Sequence, residues 1–184
     1  SALPPRPGAR PGGRLRWTGH LVTDYSAAVP SPSSLASGRN CSVRREVALE
    51  LGGFDETFTA RWPYEDVEFF TRLAKSGGRT HFVPAARLFL LPAEDAIDGG
   101  PTQEDLLQLR AARSRSMAAI FARHEAWALL IVVASHLLSA VIDVLASRLP
   151  RQAPARIAGE LLAGVRAGVR PVRRPLGSNE RVAK

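Results

Sequence analysis

The chain has 184 residues, enough for one domain with an appendage and for a buried core. Its 25 Lys and Arg against 17 Asp and Glu give a formal charge of +8, nearly all of it arginine, which favours an anionic partner such as a phosphate-bearing ligand or an acidic lipid surface. The absence of zinc-ligand spacing, of an aromatic-basic RNA motif and of a recognition-helix pattern argues against nucleic acid, and the single Cys41 excludes an internal disulfide and fits a reducing compartment.

Residues 1–37 are rich in Pro, Gly and Ser, and residues 1–38 hold six of the 14 prolines, so this segment reads as loop with one short β-like run, Arg14 to Val22. Its opening, SALPPRPGARPGG, has no apolar run of the kind a secretory leader carries. From Gly38 the pattern predicts a short strand around Asn40 to Val43 and a helix from Arg44 to Leu51, ended by Gly52-Gly53 because glycine readily takes the left-handed backbone that follows a helix. The loop FDETFTARWPY leads to a second helix, Glu65 to Lys75, with Val67, Phe70, Leu73 and Ala74 on one apolar stripe and Ser76-Gly77-Gly78 as its stop. RTHFVP and ARLFLL read as two short strands around Pro84-Ala85. An acidic, Gly-rich loop over 92–101 precedes a long helix from Gln103 to His124.

Residues 102–149 thus hold the long helix and then an apolar one. Ala126 to Ile142 is a run of 17 residues with no formal charge, close to the ~20 needed to cross a bilayer. Ser135, Ser139, Asp143 and Ser147 recur every four residues with His136 beside them, so one side of that helix is polar. Arg110, Arg113, Arg115 and Arg123 lie before it and Arg148, Arg151 and Arg156 after it, which places both ends on the cytoplasmic side of a membrane. The reading is an interfacial or re-entrant helix, with the basic tail over 150–184 holding anionic lipid; a buried helix of a larger assembly and a single span are the alternatives. Gly164 and Gly168 match a small-xxx-small spacing, but the arginine between them argues against a transmembrane dimer contact.

The chemistry concentrates at Glu65 and Asp66. Acidic residues in the first turn of a helix are explained by the helix dipole and its free N–H groups. Their setting adds a second reading: beside an aromatic loop holding Phe58, Trp62 and Tyr64, a carboxylate held at a rigid helix start can take a proton from an acceptor hydroxyl. Trp62 is either a flat platform for a sugar ring or a loop anchor packed into the core.

GRNCSVRREVALELGGFDETF followed by YEDVEFFTRLAKSGGRTHFVPAARL resembles the second half of the catalytic domain of family 2 glycosyltransferases. The matching positions are Gly38, Asn40, Arg44-Arg45-Glu46, Gly52 to Glu56, Glu65-Asp66, Arg72, Gly77 or Gly78, Phe82, Pro84 and Ala86. The resemblance implies an α/β fold: a partial GT-A (Rossmann-like) domain lacking its N-terminal nucleotide-binding half, with 38–101 as the acceptor-side region, followed by C-terminal helices. It implies inverting transfer of a sugar, of hexosyltransferase type, from a nucleotide-sugar to an acceptor hydroxyl on a lipid-linked or cell-envelope glycan, at the cytoplasmic face of the membrane.

Asp66 matches the catalytic base, Glu65 would shape the acceptor site, and Arg39, Asn40 and Asp55 would line the same cleft with Trp62. Arg44, Arg45 and Arg72 are expected to pair with carboxylates or helix ends, diphosphate contact being the alternative. Two departures accompany the match. The nucleotide-binding unit with the Asp-x-Asp that holds Mg2+ or Mn2+ has no counterpart here, so no metal ligand is assigned and a separate nucleotide-binding half is expected as partner. Leu90 stands where the family often has a histidine, and leucine ligates no metal. A non-catalytic, membrane-associated binding or scaffold protein of the same fold is the rival reading.

Overall fold

The computed structural model describes residues 12–24, 29–58, 63–88 and 102–170. It has the mixed α/β character expected of a partial domain followed by C-terminal helices, and its sheets are small and antiparallel. Two compact units divide it, one running through Ala86 and the other spanning Arg87–Val169.

In the first unit, β1 (Gly12–Leu15) and β2 (Leu21–Asp24) form an antiparallel hairpin. The sequence suggested one run across Arg14 to Val22. That run breaks because Gly19 takes φ 78° and its N–H donates to the Arg16 carbonyl, reversing the chain. β3 (Ser31–Ser33), in a segment read as loop, pairs antiparallel with β4 (Thr80–Phe82). Ser33 ties the hairpin to β3: its Oγ accepts from the Gly13 N–H at 2.9 Å. The strand expected at Asn40 to Val43 is not formed, and those residues are exposed coil. Arg87 and Leu88 are likewise not in a strand, and the rest of ARLFLL, Leu90 included, lies outside the described residues.

The helices α1 (Arg45–Glu50) and α2 (Glu65–Lys75) stand where the pattern puts them. Both end the same way. Gly53 N–H donates to Ala48 O at 2.8 Å and Gly52 N–H to Leu49 O at 2.9 Å; Gly78 N–H donates to Leu73 O at 2.9 Å and Gly77 N–H to Ala74 O at 3.1 Å. These paired bonds satisfy the last carbonyls of each helix, and they require the left-handed backbone that Gly52 (φ 80°) and Gly77 (φ 84°) adopt. The apolar stripe of α2 is buried at Val67, Phe70 and Leu73, together with Phe69, whereas Ala74 is exposed.

The second unit is helical. α3 (Gln103–His124) opens with a reciprocal cap between Thr102 and Asp105. A 3-10 turn, Ala126–Ala128, leads into α4 (Leu129–Leu145), and α5 (Ala153–Gly168) follows. α5 lies in the segment read as a basic tail. Its arginines and glycines masked a helical pattern: Ala153, Ile157, Leu161, Gly164 and Gly168 recur at three- and four-residue steps and are buried. The small-xxx-small spacing serves an intrachain contact. A Cβ on Gly164 would sit 2.1 Å from the Arg115 carbonyl oxygen, and one on Gly168 2.3 Å from that of Ala119, so α5 lies against the backbone of α3 where only glycine fits.

Gly164→Ala is therefore expected to force α3 and α5 apart and to cost about 1–3 kcal/mol or more in denaturant titration. Gly159→Ala, in the same helix with nothing within 4 Å of the added carbon, should instead gain roughly 0.5–1 kcal/mol.

Candidate functional site

The acidic pair opens α2 from an unusual backbone. Tyr64, the residue before the helix, has φ 85° and ψ 24°, a left-handed conformation that is strained for a bulky side chain. Its carbonyl accepts the first helical bond, from Glu68 N–H at 3.0 Å. The chain thus turns sharply after Pro63 and delivers Glu65 and Asp66 to the first helical turn.

Asp66 is half-buried and bonded on both oxygens. Oδ1 accepts from the Val67 N–H at 2.8 Å, occupying one of the free donors of the helix start, and Oδ2 accepts from the Gly38 N–H at 2.9 Å. The sequence suggested that one carboxylate of the pair would cap while the other faced a cleft. Asp66 itself caps with one oxygen and reaches the Gly38 loop with the other, and Glu65 is exposed beside it. A carboxylate has about four lone-pair positions, so two remain on Asp66 for another donor.

The loop that meets Asp66 is itself tied down. The Asn40 amide Nδ2 donates to the Ala86 carbonyl at 2.8 Å, across the turn in which Ala86 N–H donates to Val83 O, and the Asn40 N–H donates to Ser37 O at 3.1 Å. Arg39 between them is exposed, and its backbone N–H lies 3.4 Å from Ser37 Oγ. The structure therefore brings Gly38, Arg39 and Asn40 to the mouth of α2. Asp55 is placed differently: it is 1% exposed, and its Oδ1 accepts from the Thr57 N–H at 2.9 Å, which closes the turn after Phe54. Trp62 lies outside the described residues.

Beneath the site, Arg72 acts as the structural clamp the sequence proposed. Its Nε donates to both oxygens of Glu68 at 2.9 Å, and its Nη1 and Nη2 donate to the carbonyls of Leu51 and Gly53 just past α1. Glu68 is fully buried, and the Arg72 guanidinium also stands 5.6 Å from the Phe69 ring centroid. One arginine thus pairs with a carboxylate and finishes a helix end, which leaves its fork no room for a diphosphate.

Cys41 is the site neighbour that sequence reasoning passed over. Desolvation by the surrounding protein, and then the negative charge of Asp66, push its thiol above the usual range. The signal was its place one residue after the Gly38–Asn40 loop. Among the described residues no group of three or more His, Cys, Asp or Glu side chains is arranged to hold a metal ion.

Two outcomes follow from these contacts. Because the Asp66 charge disfavours the Cys41 thiolate, Asp66→Asn is expected to lower the thiol pKa, moving the pH profile of alkylation of this single cysteine toward lower pH. Arg72→Met strands a buried carboxylate and should cost about 3–5 kcal/mol in denaturant titration, with Arg72→Met/Glu68→Leu recovering part of the loss.

A family model described as the N-terminal domain of galactosyltransferase matches residues 20–92. That span is under half of the chain and contains Gly38, Arg39, Asn40, Asp55, Trp62, Glu65 and Asp66. Comparison with curated proteins and with solved structures gives no match. The region that positions Asp66 is glycosyltransferase-like.

Proposed function

We propose that this chain supplies the acceptor side of an inverting, family 2 (GT-A) glycosyltransferase of hexosyltransferase type, with Asp66 as the base. The single observation that carries the reading is the state of that carboxylate: anchored through one backbone N–H on each oxygen, half-exposed, and with acceptor positions to spare at the mouth of a helix in a glycosyltransferase-like region.

In the proposed reaction the acceptor hydroxyl donates its hydrogen bond to Asp66 and loses its proton to the carboxylate as its oxygen attacks the anomeric carbon. The bond from that carbon to the diphosphate oxygen breaks, and the nucleoside diphosphate leaves with the electron pair. Glu65, exposed next to the base, and Arg39, exposed on the facing loop, would bind acceptor hydroxyls; Asn40 holds that loop through Ala86. Asp55 supports the turn after Phe54 from within the protein.

Donor binding is assigned to a nucleotide-binding half joined to or assembled with this chain. Holding both substrates in register can supply about 7 to 11 kcal/mol of the barrier, so this chain by itself transfers sugar poorly. The Mg2+ or Mn2+ that the family uses against the sugar diphosphate would be held by that half. The acceptor is a lipid-linked or cell-envelope glycan presented at the cytoplasmic face of the membrane.

The test uses the protein or complex that unites this chain with a nucleotide-binding half, supplied with a panel of nucleotide-sugars and read by nucleoside diphosphate release. Asp66→Asn is expected to lower turnover by about 10²–10⁴-fold with circular dichroism unchanged. Unchanged turnover would leave the scaffold reading and remove Asp66 from catalysis.

A further inference from the structure

Helix α4 turns a polar seam toward α3, beside its buried Val132 and Ala140, and leaves large apolar side chains outside. Its polar residues face α3: Asp143 Oδ2 pairs with Arg110 at 2.5 Å, Arg110 also bonds the Ser139 hydroxyl, and His136 Nδ1 lies 2.8 Å from Ser114 Oγ. The Gln103 amide reaches the Ser147 carbonyl beyond the helix end. The opposite face carries Trp127, Leu130, Leu138, Val141, Ile142 and Leu145, all exposed, with Leu130 at 81% and Leu145 at 79%. Within the apolar stretch Ala126–Leu145, only Ala128, Val132 and Ala140 are fully buried. A row of large apolar side chains on one helix face, left outside while serines and an ion pair share the inside with the buried Val132 and Ala140, marks a surface made for an apolar medium.

We propose that this face of α4 docks the protein in the plane of an anionic bilayer, with the helix lying along the boundary between headgroups and acyl chains and not crossing it. Three features select lipid as the occupant. Trp127, 69% exposed at the start of the stripe, donates its indole N–H to Glu125 at 2.8 Å; a large ring with its polar edge already bonded suits the headgroup boundary. At the other end Arg148, 73% exposed though its guanidinium lies 3.7 Å from the Asp143 carboxylate, and the exposed Arg151 offer positive charge where an in-plane helix meets lipid phosphates. The whole chain, at +8, adds a long-range attraction of the same sign.

The same contacts argue against a span. α4 is held to α3 along its length, and α3 presents Glu104, Gln108 and Arg113 to solvent. Crossing would carry that surface into hydrocarbon or tear the Arg110–Asp143 ladder apart, and each arginine or aspartate at the bilayer centre costs about 2.5–3.5 kcal/mol even on the lenient insertion scale. α5 packs against the same α3 with Gly164 and Gly168, so the three helices move as one block and only the outward stripe of α4 can enter lipid.

This inference deepens the membrane location given in the functional reading, but α4 carries it, so vesicle binding stands or falls separately from sugar transfer. The full chain would be floated with sealed vesicles of phosphatidylcholine containing about one-third phosphatidylglycerol, and with phosphatidylcholine alone. Flotation with the anionic vesicles, weakened by salt, is expected, with a loss of about tenfold or more in Leu130→Glu/Leu138→Glu, whose exposed positions leave circular dichroism unchanged. In a Cys41→Ser background, Ala126→Cys and Ala146→Cys on vesicle-bound protein should both react with a membrane-impermeant maleimide. Protection of one of the two would establish a span and overturn the in-plane geometry. Absence of flotation, flotation indifferent to the glutamates, or a lipid-free dimer that the glutamates dissociate would overturn the docking surface itself.

Discussion

The site-bearing unit depends on one buried charge pair. Glu68, fully enclosed, has its carboxylate matched on both oxygens by the guanidinium of Arg72, and the remaining donors of that arginine reach the carbonyls of Leu51 and Gly53. A buried carboxylate without such a partner is costly, and the two carbonyls lie beyond α1 where no helical N–H is available to them. The arginine answers both needs at once and locks the end of α1 to the second and third turns of α2. Asp66, one turn earlier on α2, inherits its position from that lock. The phenyl ring of Phe69 stands between Phe54 and Phe70, at centroid distances of 4.9 and 5.4 Å, so the turn holding Asp55 is fastened to the same helix by aromatic contact.

On this base a second tier of weaker bonds shapes the mouth of α2. Gly38 N–H to Asp66 and Asn40 amide to Ala86 draw the loop preceding α1 and the turn following β4 toward the helix start. The strained backbone of Tyr64 is the local counterpart: the chain accepts a left-handed aromatic residue to bring the carboxylates out at that angle. Polar groups used this way, near the surface and bonded chiefly to backbone, hold the Asp66 carboxylate in place while leaving part of it accessible.

The helical unit solves a different problem. Its core depends on close backbone approach between α3 and α5, made possible by glycine, and on a polar seam between α3 and α4 made of Arg110, Ser114, His136, Ser139 and Asp143. A polar seam inside and an apolar stripe outside is an arrangement in which interhelical hydrogen bonds join α4 to its neighbour beside the apolar contacts of Ala140, Val133, Leu137 and Val144.

What could be read from the chain alone was whatever local chemistry decides. The bounds of α2 and α3, the glycine stops of α1 and α2, the placement of Glu65 and Asp66 in a first turn, the polar stripe of α4 and the structural use of Arg72 all follow from spacings of three and four residues and from the backbone freedom of glycine. Short strands were poorly legible, because β3 pairs with β4 across nearly fifty residues, and nothing in Ser31-Pro32-Ser33 announces a partner. Helix α5 was hidden since its glycines, unfavourable by propensity, are justified only by the α3 backbone they touch. Tertiary structure alone decided that Asp66 both caps and faces the loop, that Asp55 is enclosed, that Cys41 feels the Asp66 charge, and which side of α4 turns outward. Those are matters of distance between segments far apart in the chain, and a linear pattern holds periodicity but not proximity.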